Sequence, residues 1–419
     1  MNVLILGSGG REHTLAWKIG QSPLCDQLFI APGNAGTALE GTNVDLKLLD
    51  FPAIADFAIQ NKIECIIVGP EEPLVMGIED FFRDYPEIFV LGPSQQGALL
   101  EGSKDFAKSF MADYNIPTAA YKTFVSGEHE EAVEFLNTLP PPYVLKADGL
   151  AAGKGVLICE TLEEASSEIQ AMLSGKFGNA STKVVIEHFL KGIEFSVFAL
   201  TDGKDWVLLP EAKDYKRVGE GDSGPNTGGM GAVSPVPFAD ETVMTKVIER
   251  IVKPTINGLH EKQIRYNGFV FFGLIMVNGD PFVIEYNCRM GDPETEVVIP
   301  RIENDLLELI LAVKENKLND IEVIQSKLNA CTVMLCSGGY PDSYGKGFSM
   351  DIPAAPENTL FFHAGTIQKG ESIVTHGGRV LAVTTLNNDL QKGLENSKHW
   401  ADQIQFEGKF FRKDIGFDL

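Results

Sequence analysis

Several things are scarce in this chain. Its six cysteines, Cys25, Cys65, Cys159, Cys288, Cys331 and Cys336, are scattered, with no C-x-x-C pair and no histidine at zinc-site spacing. That excludes a disulfide or zinc framework and points to reduced, mostly buried thiols. Basic charge is short: 35 Lys and Arg stand against 58 Asp and Glu, a net charge of -23. A nucleic-acid backbone needs a basic field, so nucleic acid is excluded as the main partner. No apolar run approaches the ~20 residues of a membrane helix, and no membrane association is expected. The N-terminus is a strand without a basic leader region, so no signal peptide is expected and the cytoplasm is the expected compartment. Internal repeats and low-complexity tracts are also lacking. With 419 residues, 44% of them hydrophobic, the chain has room for two to four domains of ~100–200 residues each.

Residues 1–102 alternate apolar strands (VLILG, LFIAPG, CIIVGP, IFVLGP) with helical stretches such as PAIADFAIQNK, the pattern of a parallel α/β sheet. Ligands of such sheets bind beyond the carboxyl ends of the strands, where GSGGREH, PGNAG and GPEEPL all fall. A helix from Gly102 to about Asn115 leaves this domain. Residues 118–192 form a compact unit of short strands and two helices, interrupted by Pro140–Pro142. Long strands (FSVFAL, VLLPEA, FVFFGLIMVNG, PFVIEYN) and a helix from Asp240 to His260 then predict an antiparallel α+β sheet. A last unit holds strands at ACTVMLC, FFHAGTI and GRVLAVTTL and a helix at LQKGLENSKHWADQI. The expected division is 1–102, 103–325 with a small subdomain at about 118–192, and 326–419, an α/β and α+β multidomain protein.

The opening MNVLILGSGGREHTLAW runs from a strand through a glycine turn into a helix, the form of a dinucleotide site. The fingerprint G-x-G-x-x-G is met at Gly7 and Gly9, but Glu12 holds the third position. No distinct ribose-binding acid follows. Arg11 and His13 suit a monophosphate better. A dinucleotide, a phosphate-bearing substrate and a purely structural turn all remain open for this stretch.

Stronger signals lie further on. In VLKADGLAAGKGVLI, Gly149 and Gly153–Lys154 are one residue too close for a P-loop, and Gly155 replaces its hydroxyl residue. The loop joins two strands, yet small residues, Lys154 and the preceding Lys146 suit phosphate oxygens. The alternative is a glycine-rich hairpin with two solvated lysines. In VVIEHFLKGIEFS, a strand ending at Glu187 suits an adenine and Glu194 suits ribose hydroxyls; each could equally be a solvated strand-end charge. In FVIEYNCRMGDPETE, Glu285 and Asn287 are two apart on a strand and share one face. Paired oxygens of this kind suit Mg²⁺, which takes few protein ligands and completes its shell with phosphate and water. Arg289 has the same parity if the strand continues, and GDPET brings Asp292 and Glu294 near; the bland alternative is a structural polar cluster. The loop EAKDYKRVGEGDSGPNTGGMGAVSP concentrates Lys213, Lys216 and Arg217 and is too long for a plain connection.

Together ADGLAAGKGV, KRVG, GPNTGGMGA, EYNCRMGDPETE and GSGGREH resemble the glycinamide ribonucleotide synthetase (phosphoribosylamine–glycine ligase) family of ATP-grasp enzymes, from residue 1 to the closing FRKDIG. The resemblance implies a preATP-grasp parallel-sheet domain, ATP-grasp lid and catalytic domains, and a small C-terminal α/β domain. It implies ATP-dependent joining of glycine to 5-phosphoribosylamine through glycyl phosphate, in purine synthesis, by a monomer or weak homodimer. Carried over, Lys104 and Lys146 look like the nucleotide lysines and Gly149 to Gly155, with Gly153 and Lys154, like the loop over the phosphates. Glu187 and Glu194 look like the adenine and ribose contacts, and Glu285 and Asn287 like ligands of Mg²⁺ or Mn²⁺. Gly9, Gly10, Arg11 and Asn34 would hold phosphoribosylamine. Asp214, Asn226, Arg289, Asp292 and Glu294 would line the acceptor and glycine pocket, with Lys146, Arg289 and Asp292 acting in catalysis.

Three departures stand out. Tyr215 stands where relatives carry histidine, Ile193 replaces an acid, and FVFFGLIMV lacks the further metal carboxylate that many ATP-grasp enzymes place on that strand. The alternatives are another ATP-grasp carboxylate–amine ligase, a biotin-dependent carboxylase and, from another class, a nicotinamide-dependent dehydrogenase built on the opening turn.

Overall fold

A computed structural model describes residues 1–150, 155–178 and 183–419. The first unit holds β1 (Asn2–Gly7), α1 (Gly10–Ile19), β2 (Gln27–Pro32), α2 (Thr37–Glu40), β3 (Thr42–Asn43), α3 (Phe51–Gln60), β4 (Ile63–Val68), α4 (Glu71–Val75), α5 (Ile78–Phe81) and β5 (Phe89–Pro93). Its strands pair in parallel in the order β5-β4-β1-β2-β3. They are short apolar runs buried on both faces, as crossover helices require. Two helices, α6 (Gln95–Gly102) and α7 (Lys104–Asp113), lead out of it, each capped by a serine hydroxyl, Ser94 and Ser103. The exit helix expected from Gly102 to about Asn115 is α7, and α6 before it, not singled out from the sequence, ends where Ser103 starts the next helix.

The second unit holds β6 (Tyr121–Val125), α8 (His129–Leu136), β7 (Tyr143–Ala147), β8 (Val156–Cys159), α9 (Leu162–Leu173) and β9 (Lys183–His188). Its antiparallel sheet, β6-β9-β7-β8, packs both helices around a core of its own that includes Leu145, Ile169 and Ile186. The third unit holds β10 (Ile193–Thr201), β11 (Trp206–Leu208), β12 (Lys213–Asp214), β13 (Arg217–Gly219), β14 (Ser223–Asn226), β15 (Gly231–Ser234), α10 (Glu241–Val247), α11 (Lys253–Glu261), β16 (Tyr266–Val277), β17 (Asp280–Asn287), α12 (Thr295–Val298) and α13 (Leu306–Lys314). The last unit holds β18 (Asn329–Cys336), β19 (Thr359–His363), β20 (Thr366–Lys369), β21 (Ser372–Thr375), β22 (Arg379–Asn387) and α14 (Leu390–Gln403).

Two joints cross the expected boundaries. The long strand β16 pairs with β10 and β17 and, at Tyr266 and Asn267, with Pro93 and Gly92 of β5. The parallel and antiparallel sheets are therefore one nine-stranded sheet. The C-terminal sheet, β12-β15-β18-β22-β19, takes its first two strands from the polar loop region at 213–234. Short polar strands paired only through tertiary contacts carry no periodicity, which is why the sequence shows a loop there.

Candidate functional site

The site lies where the carboxyl ends of β1, β2 and β4, the second unit and the end of β17 meet. Gly33 donates its N–H to Gly7 O (3.1 Å) and Gly69 donates to Leu6 O (2.9 Å), so the three turns expected to share a crevice are neighbours. Glu12 fills what would be the phosphate position of a dinucleotide turn. Its Oε2 accepts the Gly9 N–H (2.5 Å) and its Oε1 accepts from Arg11 Nε (2.6 Å). A Cβ at Gly69 would overlap this carboxylate, so the glycine and the acid are complementary. The turn is closed to a pyrophosphate by its own acid, which removes the dehydrogenase alternative.

Arg11 is buried between Glu12 and Met290 O, to which it donates at 3.1 Å. It ties the first turn to the end of β17 and is not a free phosphate hand. Asn34 is also fully engaged: Nδ2 donates to Ser8 O (2.9 Å) and His363 O (2.7 Å), and Oδ1 accepts from the N–H groups of Gly36 and Thr37. Its amide shapes the turn, with no donor or acceptor left for a sugar phosphate. His13, noted beside Arg11 as suited to phosphate, is structural too, its Nδ1 accepting the His363 N–H at 2.7 Å. Gly9 and Gly10 lie against the GDPETE segment. The Arg11 N–H reaches Asp292 Oδ2 (3.3 Å), and a Cβ at Gly10 would overlap Glu296 Oε1.

On the nucleotide side, Glu187 is buried between two lysines. Lys108 Nζ lies 3.0 Å from Oε2 and Lys146 Nζ 2.9 Å from Oε1. Burial alone would raise the Glu187 pKa, but Lys146 and Lys108 together hold it below the ordinary value. Burial lowers Lys108 to about 8 in spite of that carboxylate. The Glu187 side chain is thus a counter-ion for two lysines, with both of its oxygens facing ammonium groups. Lys146 also donates to Ile284 O (3.3 Å), and Lys104 donates to Gly149 O (3.3 Å). Asp148, between Lys146 and Gly149, accepts from Ser103 Oγ (3.0 Å) and from the Asp105 N–H (2.8 Å), pinning the β7–β8 hairpin to the start of α7. Gly155 closes that hairpin by accepting from Ala147 N–H (2.7 Å). Gly153 and Lys154 lie outside the described residues.

Facing these lysines, β17 presents Glu285 and Asn287, with Glu285 in register with Gly273 and Asn287 with Phe271. The facing strand thus offers no second carboxylate, as expected. Among the described residues no three His, Cys, Asp or Glu converge as a metal cage. Glu285 is held below its ordinary pKa: burial pushes it up, but Lys216, Lys146, Lys104 and Arg289 outweigh it. The Lys216 ammonium stands 3.4 Å from Glu194 and 3.9 Å from Glu285, a cation between the two acids expected to face ribose and metal. Asn287 satisfies both ends of its amide only with nitrogen toward Glu101 Oε1 (3.0 Å), which leaves Oδ1 on the other side. One ionised carboxylate and one amide oxygen fit a cation that completes its shell with phosphate.

The strand stops at Asn287, so Arg289 does not continue its parity. Its guanidinium turns to Glu101 (2.6 Å) and Glu71 (3.4 Å). Asp292 and Glu294 part company. Asp292 pairs with Arg379 (2.9 Å), while Glu294 accepts from Ser196 Oγ (3.3 Å) and sits with buried Asp214 and Lys216. Burial, then Asp214, raise Glu294 to about 8. Burial also raises Asp214, and Asp214 in turn raises Lys216 well above its usual value. Asn226 stands apart, exposed on the β13–β14 hairpin opposite Arg217. Tyr215 is buried, its hydroxyl donating to Asp418 (2.9 Å), and Ile193 is partly exposed at the start of β10.

Glu101, Lys108, Glu296 and Arg379 were not singled out from the sequence. Lys104 and Lys108 are four apart on α7, a helix-face spacing that could have flagged the second lysine. Glu101 and Arg379 act across elements distant in sequence and leave no local signal.

Family models described as phosphoribosylglycinamide synthetase match most of the chain: the N domain at 1–101, the ATP-grasp (A) domain at 102–295 and the C domain at 330–418. The chain is 46% identical to a phosphoribosylamine–glycine ligase of Vibrio cholerae, covering 100% of this chain and 98% of that one. It is 45% identical to one of Pseudomonas aeruginosa with the same coverage. A crystal structure of phosphoribosylamine–glycine ligase from Thermotoga maritima, 36% identical, matches with a TM-score of 0.87 over 99% of this chain and 100% of that chain. A biotin carboxylase–nucleotide complex from Campylobacter jejuni, 16% identical, matches with a TM-score of 0.72 over 99% of this chain and 94% of that chain, a likeness of fold alone.

Proposed function

The chain belongs to the phosphoribosylglycinamide synthetase family, and from that premise we propose that it joins glycine to 5-phosphoribosylamine with conversion of ATP to ADP and phosphate. The observation that carries this is the meeting of a lysine-lined loop, Lys104 and Lys146, with the Glu285–Asn287 face of β17. The glycine carboxylate attacks the γ-phosphoryl of ATP and ADP leaves. The resulting acyl phosphate is attacked by the amine of phosphoribosylamine, phosphate leaves, and the amine loses its proton. Phosphoryl transfer asks the protein mainly to align reactants and offset charge. Lys104 and Lys146 do so at the phosphates, and the glycine-rich segment with Gly149, Gly153, Lys154 and Gly155 is assigned to the same phosphates.

Glu285 and Asn287 would hold a divalent cation, Mg²⁺ or Mn²⁺, which when bound supplies charge neutralisation to phosphate oxygens. The backbone after Glu187 takes the adenine, and Glu194, with Lys216 beside it, takes the ribose. Asp214, Glu294 and Arg289 line the glycine pocket, while Asn226, exposed on the β13–β14 hairpin, stands apart from it. Gly9, Gly10 and the Asp292 turn approach the sugar phosphate, with Arg11 and Asn34 setting the shape of that surface. The six free cysteines, five of them buried, accord with a reducing compartment such as the cytoplasm.

ADP and phosphate release should require both glycine and phosphoribosylamine. ATP turnover unchanged on omitting either, or dependent on bicarbonate instead, would overturn the assignment.

A further inference from the structure

Glu101 ends α6, its side chain only 7% exposed, and collects four donors from three consecutive residues. Its Oε1 accepts from Arg289 Nη2 (2.6 Å) and, once the Asn287 amide is set in the orientation that satisfies both of its ends, from Asn287 Nδ2 (3.0 Å), which then also donates to the Tyr286 carbonyl (3.1 Å). Its Oε2 accepts from the Cys288 N–H (2.8 Å) and the Cys288 thiol (3.2 Å). Asn287 ends the strand that also carries Glu285, and Cys288 and Arg289 follow it directly.

An asparagine amide has two nearly isosteric ends, one a donor and one an acceptor. Turned by a half rotation, Asn287 would offer nitrogen where oxygen stands, and N–H groups repel a cation. Glu101 Oε1 is an acceptor already taking the Arg289 guanidinium at 2.6 Å, and the Tyr286 carbonyl beside it can only accept, so the two together reject the orientation that points Oδ1 at them. We propose that Glu101 is a positioning residue that fixes the amide of Asn287 with nitrogen inward, and thereby makes residue 287 an oxygen ligand for a divalent cation. The proposal rests on the assignment of Glu285 and Asn287 as the metal pair. Arg289 balances the charge of Glu101, so the acid sits beside the pair without standing in it. Outer partners of this kind commonly govern the affinity of the ligands they orient.

The test is Mn²⁺ binding to the whole protein with ADP present, followed by the spin signal of free Mn²⁺, alongside metal-free ADP affinity and thermal melting. Glu101→Gln should weaken Mn²⁺ by about 10-fold or more, with metal-free ADP affinity unchanged. Asn287→Asp offers oxygen in either orientation, so in that background Glu101→Gln should cost nothing or strengthen binding by relieving two adjacent carboxylates. Equal weakening in both backgrounds would overturn the proposal, as would no weakening in the native background while Asn287→Ala still loses Mn²⁺. Mn²⁺ affinity unmoved by Glu285→Ala and Asn287→Ala would instead sink the metal pair itself. Should Glu101→Gln fail to fold, Glu101→Asp keeps the charge but shortens its reach. It should weaken Mn²⁺ by a smaller factor, and no weakening there counts against the proposal.

Discussion

Glu187 and Glu296 are removed from water to much the same degree, at 4% and 0% exposure, yet they are held in opposite states. Glu187 lies within 3.0 Å of two ammonium groups and its pKa is lowered. Glu296 has no hydrogen-bond partner on either oxygen and lies near Asp292, and its pKa is raised well above the ordinary value. Burial acts on both in the same direction, so the partners decide the charge. The lysine cluster keeps charge in the fold where anionic phosphates are expected. The acid cluster on the GDPETE segment removes it where two backbones must approach.

The largest effect expected from breaking this contrast is on catalysis. Lys146→Met removes the lysine shared between Glu187 and the phosphate site while Lys108 still neutralises Glu187. ATP-dependent ligation should fall by about 10²–10³-fold, on the scale of losing one preorganised charge donor, with the melting temperature little changed. A loss below tenfold would mean that Lys146 serves the fold and not the phosphates.

Next comes the same substitution at both acids. Glu187→Gln leaves two buried lysines without their counter-ion and should cost about 3–5 kcal/mol in chemical denaturation at pH 7. Glu296→Gln replaces an acid whose pKa burial and then Asp292 raise well above the ordinary value by its neutral isostere, and should cost under about 1 kcal/mol. Its effect should also depend on pH. A raised acid contributes its stability fully below the unfolded pKa near 4.5 and loses it as pH rises toward the folded value. Relative to the native protein, Glu296→Gln should therefore gain stability steadily above about pH 5. Equal costs at the two positions would dissolve the comparison.

The same contrast explains what could be read from the sequence. Strands β1, β2, β4 and β5 were legible because each is a short apolar run closed by Gly or Pro. That Glu285 and Asn287 share a face was legible because both lie on one strand, two residues apart. Glu12 was legible as an exception to a motif, although its part in closing the turn emerged only once Gly69 was found against it. Asn34 and Arg11 were misleading for the opposite reason. Their residue types suit a phosphate, but their polar atoms are engaged by Ser8, His363, Glu12 and Met290, three of which no local pattern connects to them. Pairing across distant elements also hid Glu101, Arg379 and the crossing of β12 and β15 into the C-terminal sheet.

A third way of burying a titratable group sharpens the comparison, with the smallest expected effect. His363 lies in the seam between the first and last units and carries neither a counter-ion nor a net charge. Its N–H bonds to His13 and its carbonyl to Asn34, while its ring bonds the Thr366 hydroxyl at 3.0 Å and lies beside the His13 ring, 5.7 Å between centroids. Burial, and then His13, lower its pKa from 6.5 to about 3. A histidine kept neutral in the fold contributes its stability above the unfolded pKa and loses it as pH falls from 6.5 toward 3, because the unfolded chain takes up the proton first. The backbone contacts survive a change of side chain, so His363→Phe should keep the seam while removing its acid sensitivity. Between pH 6 and 5 the native protein should lose up to about 1.4 kcal/mol more per pH unit than the variant, the weight of one proton. Parallel pH profiles would show that the ring is already protonated in the fold, and that the seam, like the lysine cluster, holds a charge.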